Sequence, residues 1–368
     1  MRLGVKAAVV EGAIVAGDVA VEDGRVAAVG LAPEGAYGVA VPGFIDVQVN
    51  GFAGVDFLAA DHEGYARAGE ALAATGVTAF VPTFVSSPLD VTRAALQNVA
   101  SLEEGGCPRV LGAHLEGPFL SEQWAGAHDA QYLAAPDIAL ADDLLAAGPV
   151  RIVTLAPELP GGMELVAHLA GAGVAVSLGH SDADTATAHA AFELGARAVT
   201  HLYNAHRRWQ PRDPGLGGVA LVRPGVAVQV ILDHVHLAPE TAYAAFLAAR
   251  QRFCLVTDAI EGAGLGDGTY RLGQREVVVA EGAARLPDGR LAGSVLTMDQ
   301  AVRNLVGLGA TLAQAVHCAS RTPALLAGHE ELGVLNEGRP ADIVVLDDNM
   351  RVSRTLVGGE EIFAAAAA

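Results

Sequence analysis

Lysine is almost missing: Lys6 is the one lysine in 368 residues. Positive charge therefore rests on arginine, and the formal net charge is −19. Such an acidic surface repels DNA, RNA and anionic membranes, which excludes them as partners. It also repels an anionic small molecule at long range, so a phosphorylated substrate would need a local basic pocket. Arginine suits that task through forked contacts with phosphate oxygens. Cysteine is scarce as well. Cys107, Cys254 and Cys318 are scattered and odd in number. They form no CxxC pair and no disulfide framework, which fits a reducing cytoplasm. Long apolar runs are lacking too. The opening MRLGVKAAVVEGAIVAGDVAVEDGRV is broken by Glu11, Asp18 and Glu22, so it reads as neither signal peptide nor membrane span.

What is present is apolar bulk. Hydrophobic residues make up 52% of the chain, enough for one large domain with a small satellite. Residues 1–41 read as short strands, with an Asp-Gly hairpin signal in VAVEDGRVAAVG. The stretch 336–363 looks similar, and the two β-rich ends are expected to pair into one small, discontinuous β-sandwich domain. A low-complexity alanine tail, 364–368, follows. Between the ends, 42–335 alternates strand and helix. Eight apolar runs stand out: VAVPGFIDVQV, GVTAFVPTF, RVLGAHLEG, VRIVTLAPE, GVAVSLGHS, ARAVTHLYN, VAVQVILDHVH and FCLVTDAI. Runs without strict alternation suit parallel strands covered on both faces. Eight β/α units point to an α/β fold, a (β/α)₈ TIM-like barrel. The rival is a doubly wound open sheet, but no GxGxxG follows an early strand. Residues 269–290 read as an inserted hairpin turning at Asp288-Gly289.

Polar residues end the apolar runs. Gln48 and Asn50 end the first, Glu116 the third, His180 the fifth, His201 the sixth, His236 the seventh and Asp258 the eighth. In a barrel these ends meet at one rim. Glu116, His180 and His201 make a two-His-one-carboxylate set, the ligand count of catalytic zinc and also suited to Fe²⁺. A lone His at a strand end is more often a satisfied core histidine. Three candidates on separate barrel strands reverse those odds, because buried charges and imidazoles are costly without a shared purpose. Asp258 is either a ligand or general base, or the N-cap of a following helix. Gln48 is a weak ligand and is expected near a metal through water or hydrogen bonds, which favours one divalent metal over two. Asn204 to Gly215 is the most basic loop; it could bind phosphate through Arg212 and backbone N–H groups, or be merely solvated. His128 and His236 could touch a substrate or be plain loop histidines.

PGFIDVQVNGFAGVDF, HLEGPFL, LGHSDA, THLYNA, PRDPGLGG, LVTDA and LAGSVLTMDQAVRNLV occur in this order over nearly the whole chain. With them the sequence resembles the N-acetylglucosamine-6-phosphate deacetylase family of the amidohydrolase superfamily. The resemblance implies a barrel plus a β-sandwich from both termini. It implies Glu116, His180 and His201 as ligands of one divalent metal, zinc first, with Gln48 near it through water. It implies Asp258 as catalytic acid/base and His128 as the group polarising an acetyl carbonyl. It implies His236 at the sugar, and Asn204, Ala205 and Arg212 at the phosphate. A cytoplasmic homo-oligomer acting on an amino-sugar phosphate follows from the same likeness. The sugar-phosphate side departs from the family pattern: His206 stands where Met is common, and His234 replaces the Gly of DGxH. N-acetylgalactosamine-6-phosphate, another N-acyl compound or a cyclic amide stay open as substrates. A non-catalytic barrel binding protein is the rival of another class.

Overall fold

The computed structural model of the chain describes residues 1–102 and 108–366. Cys107 and the last two residues of the expected alanine tail lie outside them. Eight strands run parallel in chain order: β1 (Phe44–Val49), β2 (Val77–Val85), β3 (Ala113–Glu116), β4 (Val150–Leu155), β5 (Ala175–Leu178), β6 (Ala198–Val199), β7 (Ala227–Ile231) and β8 (Phe253–Val256). Each pairs with the next along the chain. The ring closes just past β8. There the Asp258 N–H donates to Gln48 O at 2.8 Å, and the Asn50 N–H donates to Ala259 O at 2.8 Å. This is the expected (β/α)₈ barrel. Every residue of β1 and β3 is buried, so their sequences need no apolar-polar alternation.

Helices form the outer ring, including His62–Ala73, Leu89–Ala100 and Thr185–Glu193, where helical spacing predicts them. Local chemistry sets their starts. Asp61 accepts from Gly64 N–H and Asp184 from Thr187 N–H, both at 2.8 Å, each satisfying an orphan donor of the first turn. Tyr65, Ala68, Gly69 and Leu72 form the buried stripe of the first helix. Leu72→Ala would leave a cavity there costing about 2–5 kcal/mol. The apolar stretch after Thr311 opens with a capping box to Gln314 and then splits into Leu312–Ala319 and Arg321–Leu326. Pro323, which lacks an N–H to continue the ladder, accounts for the break.

A second, six-stranded sheet has the order Ala13–Ala16, Val5–Val10, Tyr37–Pro42, Ile343–Leu346, Val352–Val357, Glu360–Ala364. The two chain ends meet where Ala40 faces Val345 in an antiparallel pair. The hairpin Asp18–Glu22 with Arg25–Leu31 packs on this sheet around Val5, Val19, Val26 and Ile343. Its turn is the Asp-Gly pair read from sequence. Asp23 (φ 48°) and Gly24 (φ 74°) are both left-handed, as a type I′ turn requires.

The expected inserted hairpin is larger than the sequence suggests. Gly268–Leu272, Arg275–Ala280 and Ala283–Arg285 make a three-stranded antiparallel sheet. A turn at Glu281 (φ 52°) and Gly282 (φ 75°) adds the third strand. The Asp288-Gly289 turn then folds Leu291 back onto Arg285. No helix among the described residues is long and apolar enough to cross a membrane. Cys254 and Cys318 are buried free thiols.

A polar layer lies inside the barrel. His114 Nδ1 donates to Val47 O at 3.0 Å, and its Nε2 meets Thr154 Oγ1 at 2.7 Å. Thr154 bonds Thr200 at 2.8 Å, and Thr200 bonds Ser177 at 2.6 Å. Burial pushes the His114 imidazole down to about 4, so it is neutral and satisfied.

Candidate active site

The barrel rim gathers the residues that end the strands. Glu116 closes β3, His180 follows β5, His201 follows β6 and Asp258 follows β8. All four are buried. His180 (φ 50°), His201 (φ 29°) and Asp258 (φ 49°) hold left-handed backbone. That conformation costs a non-glycine residue of order 1–3 kcal/mol and persists where surroundings over-determine it. No helix starts directly after Asp258, so it caps none.

Ligand-type atoms of Glu116, His180 and His201 all lie within 4.8 Å of one another. His180 Nδ1 donates to Trp124 O at 2.8 Å, and His201 Nδ1 donates to Asn204 O at 3.1 Å. In the neutral rings both Nε2 lone pairs then face inward. They lie 3.2 and 3.0 Å from Glu116 Oε1 and 3.1 Å from each other. A carboxylate oxygen and two ring lone pairs thus converge on one point. Two imidazole nitrogens and a carboxylate oxygen, each oriented by a backbone or side-chain partner, fit a divalent cation.

The other residues border this point. Gln48 Nε2 donates to Glu116 Oε1 at 3.0 Å and reaches Asp258 Oδ1 at 3.5 Å, while Asn50 Nδ2 donates to Asp258 Oδ1 at 2.7 Å. The side-chain oxygens of Gln48 and Asn50 are buried without a partner among the described residues. Burial, then the negative charge of Glu116, pushes the Asp258 carboxyl up to about 7. His128 is held from behind: the Ser86 N–H donates to its Nδ1 at 3.2 Å. A ring that accepts at Nδ1 carries its proton on Nε2 when neutral, and Nε2 lies 3.6 Å from Glu116 Oε2. His236 Nδ1 bonds Asp233 Oδ2 at 2.7 Å.

A cavity of about 360 Å³ takes in Glu116, His128, His180, His201, Asn204, Ala205, His236 and Asp258. The Asn204 N–H is already given to His201 O at 3.0 Å. Arg212 is exposed on its loop and does not line this cavity. Arg207, in the same loop, is taken up by Asp213 at 3.0 Å and Asp182 at 3.2 Å. Sequence reasoning misses Ser86, Trp124 and Arg290. The only signal was position: Ser86 directly follows β2.

The amidohydrolase family's sequence profile matches residues 39–362. The chain is 40% identical over 344 residues to N-acetylglucosamine-6-phosphate deacetylase of Bos taurus, covering 88% of this chain and 83% of that one. It is 37% identical over 325 residues to N-acetylgalactosamine-6-phosphate deacetylase of Escherichia coli O157:H7, covering 87% and 86%. A mutant N-acetyl-D-glucosamine-6-phosphate deacetylase from Mycobacterium smegmatis, solved in complex with N-acetyl-D-glucosamine-6-phosphate, superposes with a TM-score of 0.92. It is 32% identical, and the match covers 98% of this chain and 99% of that one. With the rim geometry in place and likeness running along almost the whole chain, the protein belongs to the amidohydrolase family, among the N-acetylglucosamine-6-phosphate deacetylases.

Proposed function

We propose that the chain hydrolyses the acetamide of N-acetylglucosamine-6-phosphate, giving glucosamine-6-phosphate and acetate. One observation carries this reading: Glu116, His180 and His201 converge at the rim of a cavity that also holds Asp258 and His128. Those three residues would hold one divalent ion, with zinc as the first choice for two imidazoles and a carboxylate and Fe²⁺ as the alternative. Lewis acidity toward a carbonyl oxygen and a lowered pKa for water are what such an ion supplies.

The remaining chemistry belongs to the chain. Asp258 takes a proton from the attacking water at a carboxylate oxygen and returns it to the leaving nitrogen. Burial favours the protonated carboxyl, which suits a group that must hold the proton between the two transfers. Asn50 and Gln48 orient that carboxylate. His128, kept as an Nε2 donor by the Ser86 N–H, hydrogen-bonds the acetyl oxygen as negative charge builds on it. Water adds to the carbonyl carbon, the C–N bond breaks, and the amine leaves with the proton. His236, Ala205 and Asn204 face the sugar and its phosphate. Arg212 is exposed where a neighbouring copy could meet it, which supports a homo-oligomer whose subunits share the phosphate site. Two buried thiols and the substrate's chemistry support a cytoplasmic setting. The sheet joining both chain ends supports 1–41 with 336–363 as one small β domain beside a 42–335 barrel.

A second reading, N-acetylgalactosamine-6-phosphate as substrate, is supported by the E. coli relative of nearly equal similarity. Acetate release from both phosphorylated sugars and their plain forms, with and without chelator, decides. Chelator-sensitive release fastest from N-acetylglucosamine-6-phosphate is expected. A faster galactosamine reaction would favour the second reading, and no release from any amide would overturn both.

A further inference from the structure

The cavity over Glu116, His180 and His201 is lined by one guanidinium, that of Arg290. Arg290 follows the Asp288-Gly289 turn, so the inserted sheet delivers it to the rim. Its Nη1 donates to Gly126 O at 2.5 Å, and its Nε and Nη2 donate to Asp288 Oδ2 at 2.9 and 2.6 Å. A guanidinium has five N–H donors. One N–H on each terminal nitrogen therefore has no partner among the described residues. The side chain stays 51% exposed, open to a ligand. Two other arginines of these loops are committed elsewhere: Arg207 to Asp182 and Asp213, Arg275 to Asp129.

We propose that Arg290 is the cation this chain itself sets against the anionic end of its substrate, a phosphate monoester on the sugar. The inference rests on the function proposed above. An acidic protein must neutralise such a group locally, and a guanidinium with an open edge does so by charge-assisted hydrogen bonds. The competing role is a clasp joining the inserted sheet to the loop that carries His128. Tyr132 to Gln274 at 2.9 Å and Arg275 to Asp129 at 3.7 Å already join those segments, so the clasp does not depend on Arg290.

Two variants separate the roles. Arg290→Gln should raise KM for the phosphorylated sugar about 10-fold or more, leave kcat within about 3-fold, and leave the plain sugar's kcat/KM unchanged. Asp288→Asn removes the competing carboxylate and should lower KM for the phosphorylated sugar. A clasp would respond differently, with both variants impairing both substrates alike; that result, or an unchanged KM in Arg290→Gln, overturns the proposal. If the wild type releases acetate from neither sugar, the functional reading fails on its own. Inorganic phosphate then still tests Arg290 through thermal unfolding: a phosphate-dependent rise in Tm that shrinks in Arg290→Gln supports the assignment, and equal rises overturn it.

Discussion

Two sets of buried polar groups share this barrel, and they differ in one respect. In the inner layer every donor meets an acceptor: His114 gives to Val47, Thr154 meets His114, and Thr200 links Thr154 to Ser177. At the rim, acceptor faces acceptor. The Nε2 atoms of His180 and His201 and the Glu116 carboxylate point at one another. Both regions are buried, so burial does not separate them. The mismatch of polarity does. A closed hydrogen-bond chain holds a fold together, whereas converging lone pairs are an unmet need that a cation answers.

Removing one of the converging acceptors should break the rim most completely. His201→Ala is expected to lose bound metal and to lower turnover by more than about 10²-fold, because Lewis acidity goes with the ion. Metal content and acetate release measure it, and full metal occupancy with normal turnover would sink the reading. Asp258→Asn should separate metal from proton transfer. Metal stays, while turnover falls by at least ~10²-fold. Loss of metal in that variant would instead make Asp258 a ligand. The same treatment of the inner layer should look different. Thr154→Val keeps the shape but strips His114 Nε2 and Thr200 of a partner, at about 1–3 kcal/mol of stability. Its metal content should match the wild type; a drop would mean the layer supports the rim and the two regions are one.

The fold and the ligands are legible because each candidate ends an apolar run, and a barrel carries all such ends to one rim. Other parts are not legible, for stated reasons. His114 sits two positions before Glu116 in the same run, and nothing along the chain separates it from His180. What separates them is Thr154 and Val47, which reach His114 across the barrel. The left-handed backbone at His180, His201 and Asp258 is hidden as well, since none is glycine. Ser86, Trp124 and Arg290 act through partners 42, 56 and 164 residues away, contacts that only closure of the ring and folding-back of the inserted sheet create. The third strand of that sheet goes unread because Glu281-Gly282 is a weaker turn signal than Asp-Gly.

A pH dependence probes the boundary between the two regions. Asp46 lies on β1 two residues before Gln48, and accepts hydrogen bonds from Thr257 and from the Gln48 N–H. Burial pushes its carboxyl up to about 7 from 3.8, although those hydrogen bonds oppose the shift. Between the two values the native state binds a proton that the unfolded chain has released. The contribution of Asp46 to stability is therefore complete below about pH 4 and is lost as pH rises through about 7. The slope is at most about 1.4 kcal/mol per pH unit for this one group. Asn imitates the neutral acid, since its oxygen accepts from the two backbone N–H groups and its amide donates to Thr257 Oγ1. Asp46→Asn should thus gain stability relative to the wild type at about pH 8 but not at about pH 4. Asp56, raised by burial to about 6, remains in both proteins and cancels in the difference, whereas removing the Asp46 charge also eases Asp258, whose carboxyl that charge helps to push up, an effect of the same sign. Urea midpoints for the two proteins across that range measure it. Parallel curves would mean that Asp46 stays charged in the fold and that the charged rim reaches one layer deeper into the barrel.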